Sequence, residues 1–282
     1  MKHIKVVTDS TVDLPKEDLD ALGVTVVPLT VSVDGYSYED GVDITSREFI
    51  NKLVNSKEIP KSSQPSTGVF AELYEKLGAD GSHVLSIHMA SGLSGTYQSA
   101  VTAAGLTDVP VKVIDSQYIS LALSFQVKEA AEMAENGSSM EEIISRLDDV
   151  RARTSLYIMV DTLEYLLKGG RIGRGRALVG SLLKIKPIAS LDEGIYTPVT
   201  KARTHAQVIK LLTEKFHQNT EGKQVKGVGI AQAAAYDLAV SLEEKLQEYH
   251  NRHDFKIVDT TPIVSTHTGP GAMALMFYYD EN

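Results

Sequence analysis

Residues Val84 to Ala100 read VLSIHMASGLSGTYQSA. The first part, Val84-Leu85-Ser86-Ile87, is a β-rich apolar run. Ala90-Ser91-Gly92-Leu93-Ser94-Gly95 is a loop of small residues, and a helical pattern runs from Thr96 through Ala104 to a stop at Gly105. A strand, a tight turn and a helix start are therefore expected. Free N–H groups at a helix N-terminus, with short hydroxyls beside them, form a seat for an anion. The glycines let a ligand approach the backbone.

The same alternation extends on both sides. Before this stretch, strands are expected at Ile4–Thr8 and, long and β-branched, at Val24–Val33, with a turn at Asp34-Gly35. Helices are expected over Pro15–Leu22, stopped by Gly23, and from the capping box Thr45-x-x-Glu48 to about Val54. Lys61 to Thr67 reads as a hydroxyl-rich loop, with Ser66 capping a helix through Leu77. After it come a strand at Val111–Asp115, a helix from Leu121 to Glu135 and a second capping box, Ser139-x-x-Glu142, whose helix reaches about Arg153. Strands alternating with helices imply a mainly parallel sheet with helices on both faces.

Near Arg153 the pattern changes. A strand at Leu156–Val160 leads to a short helix, Thr162–Lys168, closed by Gly169-Gly170. The basic, glycine-rich Arg171–Gly175 opens a helix through Leu183. Ile188–Leu191 and Ile195–Val199 flank Asp192-Glu193-Gly194, a hairpin signal. Helices at Thr204–Gln218 and Asp237–His250 alternate with strands at Gly227–Ala231 and Phe255–Asp259, and a last strand runs from Ala272 to Tyr279. A hairpin within an α/β chain indicates a mixed sheet. The expectation is α/β with two domains, 1–153 and 154–282.

Composition excludes several classes. The chain has 282 residues, 43% of them hydrophobic and 23% charged, as ordinary globular proteins do. The formal net charge of −9 argues against nucleic acid as partner, because phosphate contacts need clustered Lys and Arg. Without cysteine there is no disulfide, thiolate metal site or Cys nucleophile. MKHIKVVTDS runs straight into a strand without a signal-peptide core, and no apolar run approaches the roughly 20 residues of a membrane span. A cytoplasmic protein without stable membrane insertion is expected.

Several residues are candidates for chemistry. Ser94, in Gly92-Leu93-Ser94-Gly95-Thr96, nearly forms a nucleophile elbow, but Thr96 stands where that motif needs glycine. It reads as a ligand-binding serine ahead of a capping hydroxyl. Ser62-Ser63-Gln64-Pro65-Ser66 is either a turn or a cluster of donors. Gly169-Gly170-Arg171-Ile172-Gly173-Arg174-Gly175 lacks the Gly-Lys-Ser/Thr ending of a phosphate loop. Arg171 there suits a clamp on one carboxylate or phosphate, or is a solvated surface arginine. His267 lies in the small-residue turn Thr266-His267-Thr268-Gly269-Pro270-Gly271, and its near-neutral titration suits it to meet a carboxylate. Asp9, Asp13, Asp40 and Asp43 fit no metal spacing and read as turn and capping residues.

Four motifs stand together in order: Val7-Thr8-Asp9-Ser10-Thr11-Val12-Asp13-Leu14-Pro15, Ser62-Ser63-Gln64-Pro65-Ser66, Ser91 to Ala100, and His267-Thr268-Gly269-Pro270-Gly271. With Gly169-Gly170-Arg171-Ile172 between them, the chain resembles the DegV family of bacterial fatty-acid-binding proteins over essentially its whole length. The resemblance implies two α/β domains with a long-chain fatty acid buried between them as ligand and no cofactor. It implies a carboxylate held by the Ser62-Ser63 and Ser94-Gly95 loops, with Arg171 and His267 nearby. It also implies a partner, the ATP-binding subunit of a fatty-acid kinase, which phosphorylates the bound acid for phospholipid synthesis. Arg203 looks like a surface contact for that subunit. Ser62 stands where the family usually has Thr, and Gln232 where His is expected.

Elementary energetics agree with this reading. Burying about fourteen methylenes at ~0.8 kcal/mol each yields roughly 11 kcal/mol, against an association cost of about 4–15 kcal/mol. The tail then supplies most of the affinity, and hydroxyl donors remove the penalty of a buried carboxylate. Leu163, Leu166, Leu178, Leu182, Ile185 and Met273 are candidate tunnel walls, each equally readable as ordinary core. The alternatives are a stand-alone hydrolase or acyl-transfer enzyme using Ser94 and His267, and a regulatory protein with structural lipid.

Overall fold

Three sheets organise the chain in a computed structural model that describes residues 3–179, 185–250 and 255–281. The chain opens with β1 (Ile4–Asp9), α1 (Lys16–Ala21) and β2 (Thr25–Val27). Next come β3 (Thr30–Val33), β4 (Tyr36–Glu39), α2 (Ser46–Asn55), β5 (Lys61–Ser63) and α3 (Thr67–Gly78). The stretch quoted at the outset forms β6 (His83–His88) and α4 (Thr96–Ala104). β7 (Val111–Asp115), α5 (Ser120–Glu135) and α6 (Met140–Ala152) follow. Strands β2-β1-β6-β7 form a four-stranded, wholly parallel sheet. Phe70 and Tyr74 of α3 and Ala100 and Ala103 of α4 pack on one face, against Val7 and Val84. Leu123 and Val127 of α5 and Leu147 of α6 pack on the other, against Val6 and Leu85. Both expected capping boxes form, at Thr45 with Glu48 and at Ser139 with Glu142.

The expected long strand Val24–Val33 is instead two short strands in different sheets. Pro28 stands between them and has no N–H to give to a ladder. β3 turns through Asp34 and Gly35, both at positive φ (49° and 83°), into β4. This is the backbone of a tight two-residue hairpin. Lys61 to Ser63, expected as loop, is the third strand of this small sheet, with Ser62 opposite Val31 and Ser63 opposite Thr30.

The second half contributes β8 (Thr154–Met159), α7 (Glu164–Lys168), β9 (Lys186–Asp192), β10 (Ile195–Ala202), α8 (His205–Thr220), β11 (Gln224–Ala233), α9 (Tyr236–His250), β12 (Lys256–Asp259), α10 (Pro262–Thr268) and β13 (Ala272–Asp280). Strand order is β10-β9-β8-β13-β11-β12, antiparallel throughout except β11 with β12, so the sheet is mixed. Val208, Leu212 and Phe216 of α8 and Leu242 and Leu246 of α9 cover its outer face. On the inner face, Leu156, Ala231, Ala274 and Met276 meet Leu121, Ala122 and Phe125 of α5. Helix α5 is thus apolar on two sides and is shared by both large sheets.

Two expectations after Gly169 change. Gly173–Leu178 is a 3-10 helix rather than the start of a long α-helix, and Leu182 and Leu183 lie outside the described residues. The expected turn around His267 is the last turn of helix α10. Pro262 occupies its first position, where no N–H is needed, and Gly269 closes it at φ 74°.

Helix α10 is bound to the first half of the chain. Ile263 belongs to the core under the parallel sheet. The carboxylate of Asp13 accepts hydrogen bonds from the Thr260 hydroxyl (2.6 Å), the Thr261 amide (3.0 Å) and the Ser120 hydroxyl. Asp40 accepts from the Ser10 hydroxyl (2.6 Å) and the Ile263 amide (3.4 Å). Asp43 keeps to a local turn, accepting from the Glu39 amide, whereas Asp9 accepts from the local Thr11 amide and also from the Met89 amide (2.8 Å), eighty residues away. Asp13 and Asp40 do more than the turn and capping roles expected for them. They seat carboxylates at the positive end of a helix more than two hundred residues away.

Burial pushes both acids up, Asp13 to about 6 and Asp40 to about 7, against the hydrogen bonds that lower them. The fold therefore holds the Asp40 proton more tightly than the unfolded chain does. This contribution to stability is full below about pH 4 and is lost as the pH rises through about 7. Asp40→Asn keeps an acceptor for the Ile263 amide and removes the ionisation. Between about pH 5 and pH 8 the variant should gain on the order of 2 kcal/mol relative to wild type in urea unfolding. A difference independent of pH would contradict the assignment.

Candidate functional site

A cavity of about 360 Å³ lies over the inner face of the mixed sheet, within the ~300–1,000 Å³ range of small-molecule sites. The alternation of β8 and β13 makes its floor: Leu156, Ile158, Ala272, Ala274 and Met276 point inward. The small alanines are what leave room there. Leu29, Met89 and Ile119 from the first half close the cavity opposite, together with Ile263 and Val264 of α10. Of the proposed walls, Leu166 and Met273 line this cavity. Leu163 is buried in an adjoining core and Leu178 packs on that core; neither they nor Ile185 line the cavity, and Leu182 is outside the described residues.

Polar groups gather where three segments meet. Ser62 of β5 and His267 of α10, 205 residues apart, share a hydrogen bond of 2.7 Å between Oγ and Nε2. Arg171 follows the Gly169-Gly170 stop. Its Nε donates to the Leu93 carbonyl (2.9 Å) and its Nη1 to the Gly169 carbonyl (2.6 Å), leaving Nη2 outside these two bonds. Ser94 also lines the cavity, with its Oγ 2.9 Å from the Thr96 hydroxyl and accepting from the Thr96 amide at 3.3 Å. Ser63 lies on the lining and is exposed. Five expected residues, Ser62, Ser63, Ser94, Arg171 and His267, thus share one cavity.

Gly95 is not on its lining. A Cβ there would lie 2.3 Å from the Gln64 amide, which reaches over the start of α4 to donate to Ser99 Oγ (3.0 Å). Gln64, passed over as part of a turn, itself lines the cavity. Gly169, expected only as a helix stop, is the seat of the imidazole: a Cβ there would lie 2.3 Å from His267 Nδ1. No local signal distinguishes such a glycine from an ordinary terminator. Arg203 is exposed, with its amide bonded to Gln207 Oε1 at the start of α8.

The electrostatics set one cation, Arg171, among neutral donors. Burial, with the positive charge of Arg171 beside it, pushes His267 down to about 4, so the ring is neutral at pH 7. Arg171 is itself shifted downward by burial. Ser120, Thr260 and Gln232 also line the cavity, but their donors go to Asp13 and Asp259.

A nucleophilic serine has little support in this geometry. His267 bonds Ser62 rather than Ser94, and among the described residues its buried Nδ1 has no partner and no carboxylate orients the ring. A serine, a histidine and an aspartate do line up elsewhere. Ser86 Oγ is 2.7 Å from His88 Nε2, and His88 Nδ1 is 3.1 Å from Asp9. All three are fully buried, and Tyr74 donates to Ser86 at 2.8 Å. They tie β1 to β6 within the core. Burial raises Asp9, but bonds from His88, Thr11 and the Met89 amide outweigh it and hold the acid below the usual range.

Comparison with known proteins places the chain in a family. The family model described as "uncharacterised protein, DegV family" matches residues 3–280. A DegV domain-containing protein of Staphylococcus aureus is 41% identical over 271 residues, covering 96% of this chain and 97% of the relative. A fatty-acid-binding DegV family protein from Thermus thermophilus superposes with a TM-score of 0.93 at 33% identity, covering 99% of this chain and 100% of that one. DegV from Bacillus subtilis, described as a fatty-acid-binding protein, gives a TM-score of 0.91 at 32% identity with the same coverage.

The seat of His267 is open to direct measurement. Its imidazole should titrate by NMR with a midpoint near pH 4. Gly169→Ala should drive the ring off Ser62, move that midpoint toward the free value of about 6.5 and cost about 1–3 kcal/mol of stability. An unmoved midpoint would refute the packing argument.

Proposed function

The chain belongs to the DegV family, and on that premise we propose that it binds one long-chain fatty acid between an N-terminal domain, 1–153, and a C-terminal domain, 154–282. The acyl tail fills the apolar cavity. Ser62, Ser63, Ser94, Arg171 and His267 receive the carboxylate, with Gly95 shaping the loop that carries Ser94. The observation that carries this reading is one cluster of partly engaged polar groups on a mostly apolar space. The fatty-acid binding described for the Thermus and Bacillus proteins supports it.

The chain does no chemistry alone on this reading. It acts in the cytoplasm and presents the acid to a separate ATP-binding kinase subunit, with Arg203 as a contact. A carboxylate oxygen bonds to the terminal phosphorus of ATP as the bond to ADP breaks, and the acyl phosphate enters phospholipid synthesis. Among the described residues no helix is long and apolar enough to cross a membrane. On this reading the tail leaves water by entering the apolar cavity.

Organic extraction and mass spectrometry of protein purified from bacteria should yield a long-chain acid. Protein that carries none and takes up none would overturn the reading. Ser94→Ala and His267→Ala should each weaken palmitate binding about tenfold while thermal unfolding stays within a few degrees; unaltered affinity in both would dismiss the assigned residues. With a kinase subunit added, Arg203→Glu should slow acyl-phosphate formation at saturating acid, and an unaltered rate would remove Arg203 from the contact.

A further inference from the structure

The Ser62–His267 pair has two sides. Ser62, Arg171 and His267 line the buried cavity and also a second, outer recess of about 770 Å³. The rest of that recess comes from the segment after α2, with Lys57 and Lys61, and from α7, with Tyr165 and Lys168. Among the described residues those three alone are common to both spaces. A ligand whose tail lies inside therefore turns its head toward the outer recess.

The charges of the two spaces differ. Arg171 is the one lysine or arginine on the cavity lining among the described residues. It can balance a carboxylate, but phosphorylation turns that carboxylate into an uncharged bridging oxygen and leaves about −1.5 to −2 on the phosphoryl group, more than one guanidinium balances, and His267 is neutral at pH 7. The outer recess holds the missing cations. Lys168 is tied to Glu164 at 2.6 Å, whereas Lys57 and Lys61 form no ion pair among the described residues. Glu58 and Glu164 are the acids on its lining. The backbone under both free lysines is fixed: the Lys57 amide donates to Asp34 Oδ1 (3.3 Å), and Lys61 pairs with Ser32 in the small sheet. In a chain of net charge −9, two unpaired lysines beside the head residues form a local anion seat.

We infer that the outer recess is a phosphoryl subsite, in which Lys57 and Lys61 receive a phosphoryl group joined to the carboxyl of the bound acid. The inference rests on the fatty-acid reading above. The alternative source of the same chemistry is free phosphate.

Calorimetric titration separates the cases. Palmitate, its non-hydrolysable β-ketophosphonate isostere and inorganic phosphate are added in turn to delipidated wild type and to Lys57→Ala/Lys61→Ala. Both lysines are exposed, so the double variant should fold. It should bind the isostere about tenfold more weakly and palmitate within about two-fold of wild type. An isostere affinity that is unchanged, or that falls no more than that of palmitate, overturns the subsite. Inorganic phosphate bound through the lysines, with no lysine dependence for the isostere, assigns them to a free anion and overturns it as well. If wild type takes up neither palmitate nor isostere, the fatty-acid reading falls first and the subsite with it.

Discussion

Two buried carboxylates decide where the site can be. Asp13 and Asp40 hold the first turn of α10 through the amides of Thr261 and Ile263. The opposite end of that short helix carries His267, whose ring reaches Ser62. Seven residues are too few for a helix to persist on its own. Its geometry is imposed by the acids at one end, the apolar seat of Ile263 in the middle and the glycine at the other. Ser62 is fixed equally firmly, because it lies on a strand paired to β3 rather than on a loose loop. The hydrogen bond between them is the meeting point of two anchored elements.

A division of labour among polar groups follows. The triad-like Ser86–His88–Asp9 set is sealed in the core, with every member engaged and no opening to a substrate. The cavity set is the reverse. His267 has one partnered nitrogen and one idle nitrogen, and Arg171 is only partly occupied by carbonyls. Buried donors with spare capacity cost free energy until something fills them.

Much of this was legible in the residues. The strand–loop–helix at Val84–Ala104, both capping boxes and the Glu193-Gly194 hairpin rest on local chemistry, and each appears in the expected place. The ordered serine, arginine and histidine motifs pointed to residues that share one cavity. What escaped was non-local. The break at Pro28 belongs to a competition between two sheets, and Lys61–Ser63 becomes a strand only because β3 offers an edge. Helix α10 was hidden because seven residues with a β-branched run hold no helical period, and its support comes from acids near the other end of the chain. Gly169 looked like punctuation because the ring it accommodates is nearly one hundred residues away.

Helix α5 constrains how anything enters. It gives Leu123 and Val127 to one large sheet and Leu121, Ala122 and Phe125 to the other. A clam-like hinge between the halves would strip one of these faces and uncover Leu121 and Phe125, at roughly 1.5–3 kcal/mol each. The body of the protein is thus a rigid shell. Parting the two large sheets is therefore no route into the cavity.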